Sequence, residues 1–311
     1  MDPGMLRIGS RGSALALAQT RWVRERLRER FPQVRAVVEV IRTSMDEKPE
    51  QSIRNDASTG VWVKELEEAL ISRRIDVAVH SMKDLPSQVP ENLEISAIPE
   101  REDARDALIA RRGERRLEDL PPGATVGTGS VRRQAQILAI RPDLKVLDIR
   151  GNVDTRLRKL DQGNYDAIVL ACAGLNRLGL QERVTAPLDL QAMLPAPGQG
   201  ALALETRCAD ADIQAVLAAM HHPLTAAAVL AERAFLRRMG GGCNSPIAVH
   251  AHLDGSALVI EGLVAMPDGS RMIREALRSS PQGAAEAAEG LANTLLARGG
   301  REILDSLGRL P

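Results

Sequence analysis

A chain of 311 residues allows two domains of ordinary size, or three smaller ones, and a sizeable core. Apolar residues make up 44% and charged residues 26%, a globular composition that excludes disordered and fibrous classes. Lysine plus arginine total 41 and aspartate plus glutamate 41, a neutral balance that argues against a dedicated nucleic-acid binder.

The first half alternates strand and helix signals. A short strand is predicted over 6–9, a helix over 13–30, a β-branched strand over 34–41, a helix over 61–72 and an apolar strand over 75–79. This βαβα order predicts a parallel sheet covered by helices. The scheme restarts after the polar stretch 99–116. A strand ends at Thr125-Val126, Ser130 caps a helix running to 140, and a strand (146–149), a helix (152–160) and a buried strand (166–171) follow. A Pro/Gly segment over 194–200 breaks the chain and suits a hinge. The last third reads as α+β: a helix over 225–238, strands over 247–252, 258–264 and 272–277, then a helix over 283–298. No internal repeat is visible. The reading is two α/β units followed by one small α+β unit.

No apolar run reaches the roughly 18 residues of a membrane helix. Met1-Asp2-Pro3-Gly4-Met5 lacks the basic-then-apolar order of a secretory signal. Cys172, Cys208 and Cys243 show no disulfide spacing, so a reducing, cytoplasmic setting is expected. The histidines are too scattered to predict a metal site.

Five lysines stand against 36 arginines. Codon usage in a GC-rich genome explains such a bias. So does a need for planar guanidinium groups that grip carboxylates bidentately, and position must decide between them. Two strand-to-helix turns, Ser10-Arg11-Gly12-Ser13 and Thr128-Gly129-Ser130 before Arg132-Arg133, suit an anion at a helix N-terminus. Either alone reads as a routine N-cap; two in successive α/β units suggest two lobes closing on one anion. Arg150, Arg156 and Arg177 lie at comparable strand ends, and the implied ligand is a polycarboxylate or a phosphate. His80-Ser81-Met82-Lys83-Asp84 should project from a sheet's carboxyl edge, where a carboxylate beside an ammonium can stabilise a developing cation or move a proton. The same five residues also fit a polar loop with a local ion pair, and His80 alone reads as structural. Gly240-Gly241-Gly242-Cys243 either presents a thiol at a close approach or is a flexible turn with an incidental cysteine.

These residues together resemble the porphobilinogen deaminase (hydroxymethylbilane synthase) family along nearly the whole chain. The likeness is carried by Arg7-Ile8-Gly9-Ser10-Arg11-Gly12-Ser13, Asp76-Val77-Ala78-Val79-His80-Ser81-Met82-Lys83-Asp84 and Val126-Gly127-Thr128-Gly129-Ser130-Val131-Arg132-Arg133-Gln134. Arg150-Gly151-Asn152-Val153, Leu194-Pro195-Ala196-Pro197-Gly198-Gln199-Gly200 and Gly241-Gly242-Cys243 complete it. The resemblance implies two periplasmic-binding-protein-like α/β domains with a hinge, 1–99 with 200–218 and 100–199, and a small α+β domain, 219–311. It implies condensation of four porphobilinogen molecules into hydroxymethylbilane with loss of ammonia, on a dipyrromethane cofactor thioether-linked to Cys243. Asp84 would be catalytic. Arg11, Ser13, Arg132, Arg133, Arg150, Arg156 and Arg177 would bind acetate and propionate groups, with Ser81, Lys83, Thr128 and Ser130 lining the same cleft. No metal, nucleic acid or membrane is implied, and a monomer is expected. The family pattern fails over 43–62, where glycines expected at Met45, Ala57 and Ser58 and a lysine expected at Thr59 are missing. A slower lid and slower turnover are therefore expected. Two other readings stay open: a non-enzymatic two-lobed carboxylate-binding module, similar to a periplasmic binding protein, and a degenerate family member.

Overall fold

The computed structural model describes residues 5–41, 63–86, 88–242 and 245–308. The expected lid over 43–62 and Cys243 lie outside them. In chain order the first elements are β1 (Met5–Arg11), α1 (Ala14–Arg30), β2 (Arg35–Ile41), α2 (Lys64–Ile71), β3 (Val77–Ser81) and β4 (Leu93–Ala97). Next come β5 (Asp106–Ala110), β6 (Thr125–Gly127), α3 (Val131–Ile140), β7 (Lys145–Leu147), α4 (Val153–Asp161), β8 (Ala167–Ala171), α5 (Cys172–Arg177) and β9 (Ala186–Pro187). They are followed by β10 (Leu202–Arg207), α6 (Ala211–Ala218), α7 (Pro223–Met239), β11 (Ile247–Asp254), β12 (Ala257–Ala265), β13 (Met272–Ser279), α8 (Ala284–Leu295) and α9 (Arg301–Ser306). No single described helix is long and apolar enough to cross a membrane.

The chain divides into two compact units, Met1–Glu102 with Ala201–Ala226 and Asp103–Gly200 with Ala227–Pro311. In the first, the sheet runs β2-β1-β3-β10-β4. β1 is parallel to β2 and β3, whereas β10 is antiparallel to β3 and β4. Helix α1 turns Val23 and Leu27 onto one face against Leu6, Ile8, Val77 and Leu204, and α2 turns Leu66 and Leu70 onto the other with Ile75. Burying a leucine-sized side chain contributes about 1.5–3 kcal/mol, which holds both layers on the sheet.

The second unit repeats this plan. Its sheet runs β7-β6-β8-β5-β9, with β6 parallel to β7 and β8 and β5 antiparallel to β8 and β9. The purely parallel sheets expected from the alternation are thus mixed ones. Each has one antiparallel member, β10 or β5, next to a point where the chain passes between units. The polar stretch 99–116 hid β5, because its five residues stand between Arg105 and Arg111-Arg112. The likeness of the units extends to atoms: an Asp76 carboxylate oxygen accepts from Arg7 N at 2.9 Å, and an Asp166 carboxylate oxygen accepts from Thr125 N at 2.8 Å. Gly9 pairs with Ala78 and Gly127 with Ile168. A Cβ on Gly9 would lie 2.3 Å from Ile75 Cδ1, and one on Gly127 2.9 Å from the Tyr165 ring. The repeat missed in the sequence is therefore present in space.

The C-terminal part is the antiparallel meander β11-β12-β13 covered by α7 and α8, with Phe235 fully buried at its centre. It packs on the second α/β layer of the same unit, where Ala248, Leu263 and Ala265 meet Ala135 of α3 and Leu194. The helix expected over 283–298 ends sooner. The chain turns at Leu296–Gly300, where Gly299 adopts φ 104, before α9.

Candidate active site

Parallel β1 and β3 end on the same edge of the first sheet, so the residues after each meet there. Ser13 caps α1, its hydroxyl accepting from Ala16 N at 3.3 Å, and no acidic residue occupies that helix's first turn. The chain leaves β3 through a 3-10 turn, Met82–Asp84, tied back by Met82 N donating to Ala201 O at 3.0 Å. Arg11, Ser13, Gln19, His80, Ser81 and Asp84 thereby line one cavity of about 70 Å³. Asp84 is exposed and Lys83 half-buried; the latter belongs to the turn but not to the cavity wall.

Two residues here were not assigned from sequence. Gln19 is buried and donates to Ser81 Oγ at 2.8 Å. A polar residue on the helix face that also carries Val23 and Leu27 was the available signal. His80 Nε2 lies 2.9 Å from a carboxylate oxygen of Glu205, which is completely buried on β10. Glu205 was invisible in sequence because β10 itself was.

The second unit gathers its own set at the corresponding edge. Thr128 is buried and accepts from Ser130 N at 3.2 Å, and Ser130 caps α3, whose first turn also lacks acid. Gly129 abuts the loop after β7, since a Cβ there would stand 3.1 Å from the Asp148 carboxylate and 3.7 Å from Arg150 Cζ. Arg150 pairs with Asp148 at 2.8 Å, and Arg156 donates to Gly151 O at 2.7 Å. Burial, then the neighbouring charges of Arg133 and Arg150, hold Arg156 down at about 10. The Asp148 carboxylate opposes the fall.

Arg132 and Arg133 sit deeper than expected. Both are buried on Asp106: Arg132 Nη1 donates to one carboxylate oxygen at 2.8 Å and Arg133 Nη2 to the other at 2.7 Å. Arg132 also reaches Leu194 O and Arg133 reaches Val169 O. Gln199 adds a third donor to Asp106 at 2.9 Å. Burial alone would raise the Asp106 carboxyl, but the two guanidinium charges outweigh it and hold it far below the ordinary carboxylate range. Arg132 and Arg133 thus share one protein carboxylate. Arg177 donates to Gly200 O at 2.7 Å, away from the Thr128–Ser130 turn along the chain.

Beside Cys243, Gly242 N donates to Ser245 Oγ at 3.0 Å and Ser245 N to Gly242 O at 2.9 Å. Two of the three preceding glycines have structural reasons. Gly240 ends α7 at φ 67, and a Cβ on Gly241 would lie 2.3 Å from Ile247 Cδ1.

The family model described as "Porphobilinogen deaminase, dipyromethane cofactor binding domain" matches residues 6–215, and the model of the porphobilinogen deaminase C-terminal domain matches 226–297. The chain belongs to the porphobilinogen deaminase family. Porphobilinogen deaminase of Pelobacter propionicus is 47% identical over 307 residues, covering 99% of this chain and 98% of that one. That of Thermus thermophilus is 51% identical over 298 residues, covering 96% and 97%. A weaker likeness, TM-score 0.44 at 12% identity over 70% of this chain and 91% of the other, is to the methionine binding protein MetQ; the fold class stands on the sheet orders themselves. Dipyrromethane is the cofactor of a porphobilinogen deaminase, and each unit taken by itself has donors that suit carboxylates. The first has the acid-free N-terminus of α1; the second has that of α3, with Arg150 and Arg156.

Proposed function

We propose that this chain condenses four porphobilinogen molecules into the linear tetrapyrrole hydroxymethylbilane, releasing four ammonia, on a dipyrromethane primer joined by a thioether to Cys243. The observation that carries the reading is the meeting of Asp84 with Arg11, Ser13 and Ser81 around one cavity in a chain of this family. The primer, when bound, supplies the nucleophilic pyrrole carbon. Asp84 accepts hydrogen bonds from pyrrole N–H groups and stabilises the positive charge that develops on substrate as ammonia leaves. At roughly 4 Å and an effective dielectric near 20, that attraction is worth about 4 kcal/mol, close to a thousandfold in rate.

Arg11 and Ser13 in the first unit, and Arg132, Arg133, Arg150, Arg156 and Arg177 in the second, bind acetate and propionate groups, with Ser81, Lys83, Thr128 and Ser130 beside them. Arg132 and Arg133 also hold the start of α3 on Asp106. The working division is 1–99 with 200–218, 100–199 and 219–311, the last carrying the cofactor cysteine. The protein works as a cytoplasmic monomer on a small-molecule substrate. Its altered 43–62 segment slows turnover relative to a version with glycines at 45, 57 and 58 and lysine at 59; equal steady-state rates would refute that.

Intact-mass measurement tests the reading. A two-ring adduct is expected, and it should vanish in Cys243→Ser; a bare chain mass in the parent would favour a binding module instead. Asp84→Asn is expected to keep the adduct while ammonia release falls about a thousandfold. Near-parental ammonia release would remove Asp84 from its role.

A further inference from the structure

Behind the cavity wall lies a polar cluster that the proposed chemistry does not use. Glu205 is completely buried on β10 and His80 is 6% exposed on β3, their side chains 2.9 Å apart. The register pairs His80 with Ala203 and Ala78 with Glu205, so the two are diagonal neighbours on one face of the sheet. The second Glu205 oxygen is buried with no hydrogen-bond partner among the described residues. Helix α2 packs over β3 and β10 and brings in a third titratable group, the half-buried Glu67. Burial, and then the Glu205 charge, raise the Glu67 carboxyl, while His80 opposes the rise.

A buried carboxylate with one unmatched oxygen is destabilising unless its environment compensates. For packing alone, a leucine between β3 and α2 would serve better. This place is distinguished by its position in the chain: His80 stands one residue before the end of β3, and the Met82–Asp84 turn begins directly after that end. In the second unit the same register leads from β8 to Gly174 in place of Asp84, and Leu170 stands where His80 does. The imidazole and the carboxylate thus occur together in one unit and are absent together from the other.

We propose that the buried His80–Glu205 pair is a positioning device for Asp84: Glu205 fixes the His80 ring, and the ring fixes the course of β3 into the turn that presents the Asp84 carboxylate. This rests on the catalytic role given to Asp84 above. Neither Glu205 nor Glu67 lines the cavity, whereas His80 does, beside Ser81, Gln19 and Arg11.

The test uses enzyme whose two-ring adduct has been verified by mass. Glu205→Gln keeps the shape and an oxygen that accepts from His80 but carries no charge; His80→Gln removes the ring. In each, kcat per loaded site is expected to fall at least about tenfold with KM within about twofold, because orientation rather than substrate binding is lost. The double variant is expected to match the singles, as two members of one device are not additive. A merely structural pair would lower thermal stability and leave kcat per loaded site and KM in place; that result overturns the proposal, as does multiplication of the two effects in the double variant. If Glu205→Gln does not fold, His80→Gln alone gives the same reading of kcat against KM. A parent without adduct overturns the functional reading itself, whereas a loaded parent with unchanged variants overturns only the positioning role.

Discussion

Removal of Asp106 is the most telling perturbation of the second unit. Its carboxylate, completely buried, receives Arg132, Arg133 and Gln199 and ties the start of β5 to the start of α3 and to the 194–200 connector. Asp106→Ala leaves two adjacent guanidinium groups buried without countercharge, which costs about 3–5 kcal/mol. For a unit of this size each kcal/mol moves the melting point by about 2–4 °C, so a fall of about 6–20 °C is expected at pH 7. Differential scanning calorimetry of the bare chain reads this without cofactor. The carboxyl titrates below its unfolded value of about 3.9, so its contribution is fully present above that pH and is lost as pH falls toward the depressed folded value. Parent and variant melting points should therefore converge in acid. Replacing all three charges with apolar residues (D106L/R132M/R133M) should recover most of the loss, because an intact buried triad adds little net stability. A melting point for Asp106→Ala within about 2 °C of the parent at pH 7 would refute the reasoning.

Other consequences are as direct. Arg156→Gln should stabilise the bare chain by about 1–3 kcal/mol at neutral pH, because a cation held down at about 10 is disfavoured by folding at every lower pH. The same change should raise KM, and a chemical melt with steady-state kinetics reads both; a destabilised variant contradicts the cation-crowding account. Gly9→Ala places a methyl 2.3 Å from Ile75 Cδ1 and 3.1 Å from Leu66 Cδ2, and should cost about 1–3 kcal/mol in a urea titration. Burial first, then Asp103 and Asp106, push the Cys172 thiol up to about 12, whereas Cys208 is exposed. Iodoacetamide at pH 8 should label Cys208 and spare Cys172 in peptide mass maps until the chain is unfolded; equal labelling in the folded protein would contradict this burial.

Local chemistry made much of this legible without coordinates. Ser13 and Ser130 were readable as caps because a hydroxyl between a strand and an apolar-periodic run has few other uses, and the structure has both in that role. Asp84 and Arg11 were readable as neighbours because parallel strands end on one edge. What escaped was everything that depends on partners distant in sequence. Strands β5 and β10 carry Asp106 and Glu205, charged residues that a periodicity reading places outside a sheet, and they are tolerated only because Arg132, Arg133 and His80 arrive from elsewhere. The sequence thus determined the strand–helix alternation and the sheet edge at which Arg11 and Asp84 meet, since these follow from short-range propensity and strand direction. Only the tertiary structure decided that Arg132 and Arg133 share a buried carboxylate, Asp106, on a strand hidden in the sequence. Charge compensation acts across space, and nothing along the chain records it.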